Sequence, residues 1–186
     1  RRGTIRHIGL TNCNTATVQS VLDAGVPIAS HQVQYSLLDQ RPAAAMTRLC
    51  ATRGIGFLCY GALAGGFFAE RYLGVPDPPT LANRSLVKYR LIIDEFGGWE
   101  RFQRLLVAVA SVARRHGVGL GAVAIAWVLA QPQVTAVIVG ASSGRHLADT
   151  VRAASLTLDP ADHAVLDAVL AERPPLRGDV YDLERE

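Results

Sequence analysis

The chain has almost no lysine. Lys88 is the only one, and arginine carries nearly all the remaining positive charge. The arginines stand singly or in loose pairs, such as Arg48 and Arg53 or Arg114 and Arg115. No dense basic run with interleaved aromatics occurs, which argues against a nucleic-acid surface. Cysteine is scarce too. Cys13, Cys50 and Cys59 match no zinc spacing, and their odd number argues against a disulfide framework. Buried free thiols in a reducing compartment are expected instead. No charged-then-apolar leader opens the sequence. Its longest apolar stretch, 118–130, is too short to span a bilayer. These absences lead to the expectation of a soluble, cytoplasmic protein with neither nucleic acid nor membrane as partner. Methionine occurs once, at Met46, and Arg1 stands first, so the chain is expected to be part of a longer product.

What is present suits one folded domain. The 186 residues are 49% hydrophobic, enough for a sizeable core, and the formal net charge is only +3. Arg6 to Leu10 is a short apolar run closed by Thr11-Asn12, a strand followed by a turn. Asn14-Thr15 caps a helix with Val18, Val21 and Leu22 on one face, ended by Gly25. Strands are expected over 28–35 and 55–60. Between them Pro42 opens a helix that Gly54 ends. The stretch 61–98 is rich in Gly and Pro, and is expected to be a long loop with one helical turn near 86–93. Helical spacing returns over 99–116 at Phe102, Leu105, Leu106, Val109 and Val112. A helix over 121–130, apolar nearly all round, should be buried. A fourth strand over 135–139, a helix capped by Ser142-Ser143 and running to Ala154, and a last helix opened by Asp159-Pro160 complete the pattern. The alternation predicts an α/β fold with parallel strands, spanning 1–172, and an extended tail over 173–186.

Four segments resemble the aldo-keto reductase superfamily, in the family's own order. Ile5-Arg6-His7-Ile8-Gly9-Leu10-Thr11-Asn12 is similar to "IRxIGVSN". His31-Gln32-Val33-Gln34-Tyr35-Ser36-Leu37-Leu38 resembles "QxxYSLL". Tyr60-Gly61-Ala62-Leu63-Ala64-Gly65-Gly66 resembles "YSPLAxG", and Ile138-Val139-Gly140-Ala141-Ser142-Ser143 resembles "IPGAS". The match looks closest to the bacterial and potassium-channel-β-like members. It implies a parallel (β/α) barrel of the TIM type, of which this chain would be the second half, about four strands with covering helices. The site would lie at the C-terminal strand ends.

The resemblance also implies a cofactor, NADP in its reduced form NADPH, and a small-molecule carbonyl substrate. Asn12 and Gln32 would hydrogen-bond the nicotinamide carboxamide, since an amide side chain matches its donor and acceptor. Thr11 keeps a hydroxyl beside them. Tyr60 would stack on the ring. Gly61, Leu63 and Gly65 would run beneath the pyrophosphate, where small residues admit close backbone approach. Gly140, Ser142, Arg145, His146 and Asp149 would meet the adenosine 2′-phosphate end at a helix N-terminus. Gly61-Ala62 replace the family's serine and proline. His146, Asp149 and Thr150 stand where glutamine, glutamate and asparagine are common, so altered contacts are expected there.

Bland readings stand beside these. Asn12 is also a common turn residue, Gln32 can be a core amide, Tyr60 can be packing, and Gly140 to Ser143 can be a helix cap. His31 reads as structural. The family's catalytic aspartate, tyrosine, lysine and histidine lie in the first half of its barrel, and no segment here resembles that half. Lys88 falls in the long loop, and Tyr35, Tyr72 and Tyr89 have no support as proton donors. The chain alone is therefore expected to be inactive, as the C-terminal portion of an NADPH-dependent reductase. The alternative is a truncated, non-catalytic homologue acting as a nucleotide-binding or protein-interaction module. Four parallel strands leave two edges and one uncovered face. The missing half or a second copy is expected to cover them.

Overall fold

The computed structural model describes residues 3–140 and 144–180, with Arg145 described by its backbone alone. Strands β1 (Gly9–Thr11), β2 (Ser30–Gln34), β3 (Gly56–Tyr60) and β4 (Val134–Val137) form one sheet in that order, and every neighbouring pair is parallel. Helix α1 (Thr15–Asp23) joins β1 to β2, and α2 (Ala45–Arg53) joins β2 to β3. Three helices, α3 (Arg84–Glu95), α4 (Trp99–His116) and α5 (Leu120–Leu129), lie between β3 and β4. Two more, α6 (Leu147–Ala153) and α7 (Pro160–Leu170), follow. No single helix among the described residues is long and apolar enough to cross a membrane.

Local chemistry sets most boundaries. The Asn14 side chain accepts from the Thr17 N–H at 3.0 Å and starts α1. Gly54, at φ +65°, ends α2 in the left-handed conformation. Ala44 breaks the helix expected after Pro42 into a 3₁₀ turn (Arg41–Ala43) and α2.

The stretch 61–98 differs most from expectation, because it contains the three-turn helix α3. Asn83 caps it through the Leu86 N–H at 3.0 Å, and Leu86, Tyr89, Ile92 and Ile93 bury one face. Lys88, Arg90, Asp94 and Glu95 dilute that periodicity in the sequence. Strand β1 is shorter than its apolar run because it forms a sheet edge. Ile5 is 69% exposed, and Ile8 also faces solvent.

The two central strands of the sheet bury one face fully, and the other is covered only at Gln34. His31, Val33, Phe57 and Cys59 are fully buried, packed beneath the helices. On the opposite face, register aligns Thr11, Gln32, Leu58 and Ala136 in one row, and none of the four is buried. Behind the sheet, α5 is buried almost throughout, and Phe67, Phe68, Tyr72, Trp99 and Phe102 form an aromatic cluster with centroids 4.8 to 6.2 Å apart. The segment after α7 is fastened down. Asp179 Oδ2 accepts from the Thr15 N–H at 2.8 Å, and the Arg177 carbonyl accepts from Arg41 Nε at 2.9 Å.

Cys50 and Cys59 are buried free thiols, as expected, whereas Cys13 is only half-buried in the turn after β1, where its Sγ donates to the Thr11 carbonyl at 3.4 Å. Burial pushes the Cys50 pKa up to about 11 and that of Cys59 to about 12. It also pushes Tyr35 to about 12, with the Cys59 thiol as the next cause. A raised acid pKa contributes stability that is complete below the unfolded value and is lost as pH rises through the folded value. The fold should therefore weaken from about pH 9 to pH 12. Circular dichroism across that range should show the loss, and Cys59→Ala should move it upward in pH. An unchanged onset in the variant would remove Cys59 from the explanation.

Candidate functional site

The C-terminal strand ends bring together residues far apart in sequence. Asn12, one residue past β1, adopts a left-handed backbone at φ +53°, a conformation asparagine tolerates. Its N–H donates to the Gln32 carbonyl at 3.2 Å, so the chain stays on the sheet one residue longer. Its side-chain Oδ1 accepts from the Tyr60 hydroxyl at 2.7 Å, across the intervening β2. Tyr60 pairs in register with Gln34, and Gln32, two residues before, shares that face. Asn12, Gln32 and Tyr60 therefore meet at one rim of a parallel sheet. Engagement of Oδ1 by Tyr60 leaves Asn12 Nδ2 as the donor for a carbonyl, while Gln32 can offer both a donor and an acceptor.

The neighbours of this rim are structural. Gln34 is buried, and its Nε2 donates to Asp39 Oδ2 at 2.9 Å. Asp39 also pairs with buried Arg41 at 2.9 Å, and Arg41 bonds Glu95 on α3. Burial works against the Arg41 charge, but Asp39 and Glu95 outweigh it and raise its pKa above arginine's ordinary value. His31 is fully buried, with Nε2 bonded to the Cys13 carbonyl at 2.9 Å. It fixes the turn that carries Asn12, which agrees with its structural reading.

The glycine-rich segment is shaped by α3. Gly61 has φ +75°, and a Cβ there would stand 2.6 Å from the Tyr89 hydroxyl and 3.1 Å from Gln34 Cγ. Gly65 has φ +66°, and its Cβ would stand 2.6 Å from Tyr89 Cδ2. Close approach of Tyr89, as well as backbone conformation, thus demands glycine at both positions. The N–H groups of Ala64 and Gly66 are satisfied within the segment, by Gly61 O and Leu63 O at 2.8 Å each. A phosphate here would need other donors. The Arg71 guanidinium approaches the segment, 3.4 Å from where a Gly66 Cβ would stand. Its nearness depends on the fold of 61–72 and carries no mark in the sequence.

Lys88 is a second residue whose place could not be read from its position in an expected loop. Helix α3 carries its ammonium 5.1 Å above the Tyr60 ring and 5.4 Å from that of Tyr89. The remaining expected residues lie further along the rim. Thr11 is exposed on the same face as Gln32, and Leu63 is half-buried. Gly140 is exposed, and Ser142 lies outside the described residues. Arg145 belongs to the 3₁₀ turn Gly144–His146, just before α6, and His146 is exposed. Asp149 Oδ2 accepts from the Gly119 N–H at 3.2 Å, and Glu70 accepts from the Leu120 N–H at 3.1 Å. That Asp149 oxygen therefore serves the N-terminus of α5.

Comparison with known proteins places this geometry. The model of the aldo/keto reductase family matches residues 1–171. Flagellar radial spoke protein 5 of Chlamydomonas reinhardtii is 36% identical over 127 residues, covering 66% of this chain and 24% of that protein. Aldo-keto reductase str7 of Strobilurus tenacellus is 27% identical over 186 residues, covering 96% of this chain and 52% of its own length. Aldo-keto reductase yakc [NADP(+)] of Schizosaccharomyces pombe is 27% identical, covering 86% and 46% respectively. Among solved structures, glycerol dehydrogenase AKR11B4 from Gluconobacter oxydans superposes with a TM-score of 0.75 at 20% identity, over 95% of this chain and 52% of that one. The thermostable aldo-keto reductase Tm1743 gives 0.63 at 22%, over 91% and 50%. The chain thus spans about half the length of str7, yakc and both solved proteins. Its parallel four-stranded sheet is part of a TIM-type (β/α) barrel. By the family model, which covers nearly its whole length, the chain belongs to the aldo/keto reductase family.

Proposed function

We propose that this chain is the C-terminal portion of an NADPH-dependent aldo-keto reductase, and that its strand ends hold the nicotinamide. The observation that carries the reading is the Tyr60–Asn12 hydrogen bond, which fixes an aromatic face beside a free amide donor. Tyr60 provides the flat surface, and Asn12 Nδ2 with Gln32 grips the carboxamide. Arg71 meets the pyrophosphate beside the glycine segment, and His146 and Arg145 lie at the adenosine end. The NADP(+) in the name of yakc supports this choice of nucleotide. When bound, the cofactor supplies a hydride for an aldehyde or ketone. The proton donor belongs to the other half of the barrel. Tyr35, buried and with its pKa pushed up to about 12, is unsuited to that work.

The open face and the edges at β1 and β4 take a complementary four-stranded half, from the rest of a longer polypeptide or from a second copy. Size-exclusion chromatography of the 186-residue chain should show a dimer or larger species. A stable, compact monomer would refute this pairing.

Titration of the chain with NADPH, followed by the nucleotide's own fluorescence, tests the site. Asn12→Gly keeps the left-handed backbone and removes the amide, and Tyr60→Leu removes the flat surface. Each should weaken binding about tenfold, the equivalent of one good polar contact. If wild type fails to bind, the cofactor reading falls. If both variants bind like wild type, the nicotinamide does not sit on this rim. A second reading, a non-catalytic nucleotide-binding module, gains support from the unsuitability of Tyr35. It predicts binding without turnover even after the complementary half is supplied.

A further inference from the structure

We propose that Lys88 sets the redox preference of the nucleotide site, favouring the reduced nicotinamide over the oxidised one. The inference rests on the reading that the nicotinamide lies on Tyr60. The observation is the position of the ammonium, 5.1 Å over the Tyr60 ring and 5.4 Å over that of Tyr89. This lysine is held in place. The Asn83 cap and the buried Leu86, Ile92 and Ile93 fix α3, and Tyr89 is wedged against Gly61 and Gly65. The half-buried side chain presents its charge to two aromatic rings.

The physical consequence follows from charge alone. The oxidised nicotinamide ring carries one positive charge, and the reduced ring carries none. A ring stacked at about 3.5 Å on Tyr60 would lie no further than about 9 Å from the ammonium, even on the opposite face of the tyrosine. At an effective dielectric of about 20 to 40, repulsion over that distance disfavours the oxidised form roughly fivefold to twentyfold. Removing the charge should therefore change the ratio of the two affinities and leave the neutral ring's contacts in place. It would act as a specificity residue, and it need not touch substrate.

Lys88→Met keeps the length of the side chain and loses its charge, and Lys88→Arg keeps the charge. The dissociation constants of NADPH, by its fluorescence, and of NADP⁺, by competition, are measured for the full chain and both variants. The readout is the ratio of the two constants, which reports the net field at the ring, all other contacts of the ammonium included. Lys88→Met should tighten NADP⁺ relative to NADPH by about fivefold or more, and Lys88→Arg should keep the wild-type ratio. An unchanged ratio in Lys88→Met, with both nucleotides still bound, overturns the role of Lys88 and leaves the Tyr60 site standing. Absence of binding in wild type overturns both.

Discussion

Asp162→Ala should lower the stability of the chain by about 3 kcal/mol, a loss of roughly 6–12 °C in melting temperature. Asp162 is fully buried at the start of α7. It accepts from Arg115 Nη1 at 2.6 Å, from His116 Nε2 at 2.7 Å and from the Asp159 N–H at 3.0 Å. Asp159 accepts the Asp162 N–H in return at 2.8 Å, closing a capping box. Alanine strands three donors at the junction of α4 and α7. Arg115 is half exposed and keeps Asp159, so the loss stays at the low end for a broken buried pair. The Asp162 N–H holds the Asp159 carboxyl below its ordinary range, and Arg115 adds to this. A depressed carboxylate pKa stabilises the fold above the unfolded value and is lost on further acidification. The cap is thus complete at neutral pH. Thermal melts by circular dichroism measure the effect, and Asp162→Asn should recover part of it. A melting temperature unchanged in Asp162→Ala would show that this cluster does not hold α7.

Gly61→Ala should cost about 2–4 kcal/mol and weaken the nucleotide site as well. The left-handed backbone at φ +75° accounts for about 1–2 kcal/mol in a residue with a Cβ. Collision with the Tyr89 hydroxyl, 2.6 Å away, supplies the rest. Tyr89 projects from α3 against this loop, so its displacement also moves its helix neighbour Lys88 away from Tyr60. A double-mutant cycle with Tyr89→Phe separates the two parts, because removing the hydroxyl relieves the collision and leaves the backbone strain. Additive losses in the cycle would mean that the two residues do not meet.

Much of the fold was visible in the residues themselves. Strand–helix alternation, the caps at Asn14 and Asp159, the glycine stop at Gly54 and the amphipathic pattern of 99–116 depend on near neighbours, and near neighbours are what a sequence displays. Helix α3 was hidden for the same reason turned round. Its four buried residues face partners made by other segments, while its charged residues and the prolines before it read as loop. Of the site, Asn12, Gln32 and Tyr60 could be named from their motifs, but their meeting at one rim needed parallel strands in a particular register.

Short-range information, then, was enough for the family, the element order and the nature of the residues at each strand end. Tertiary structure alone decided that the Tyr60 hydroxyl reaches Asn12, that Tyr89 fills the space above Gly61, and that the single lysine stands over the ring of Tyr60. These are contacts across 48 and 28 residues of chain. Their geometry depends on how separate elements pack, and no local pattern encodes a packing angle.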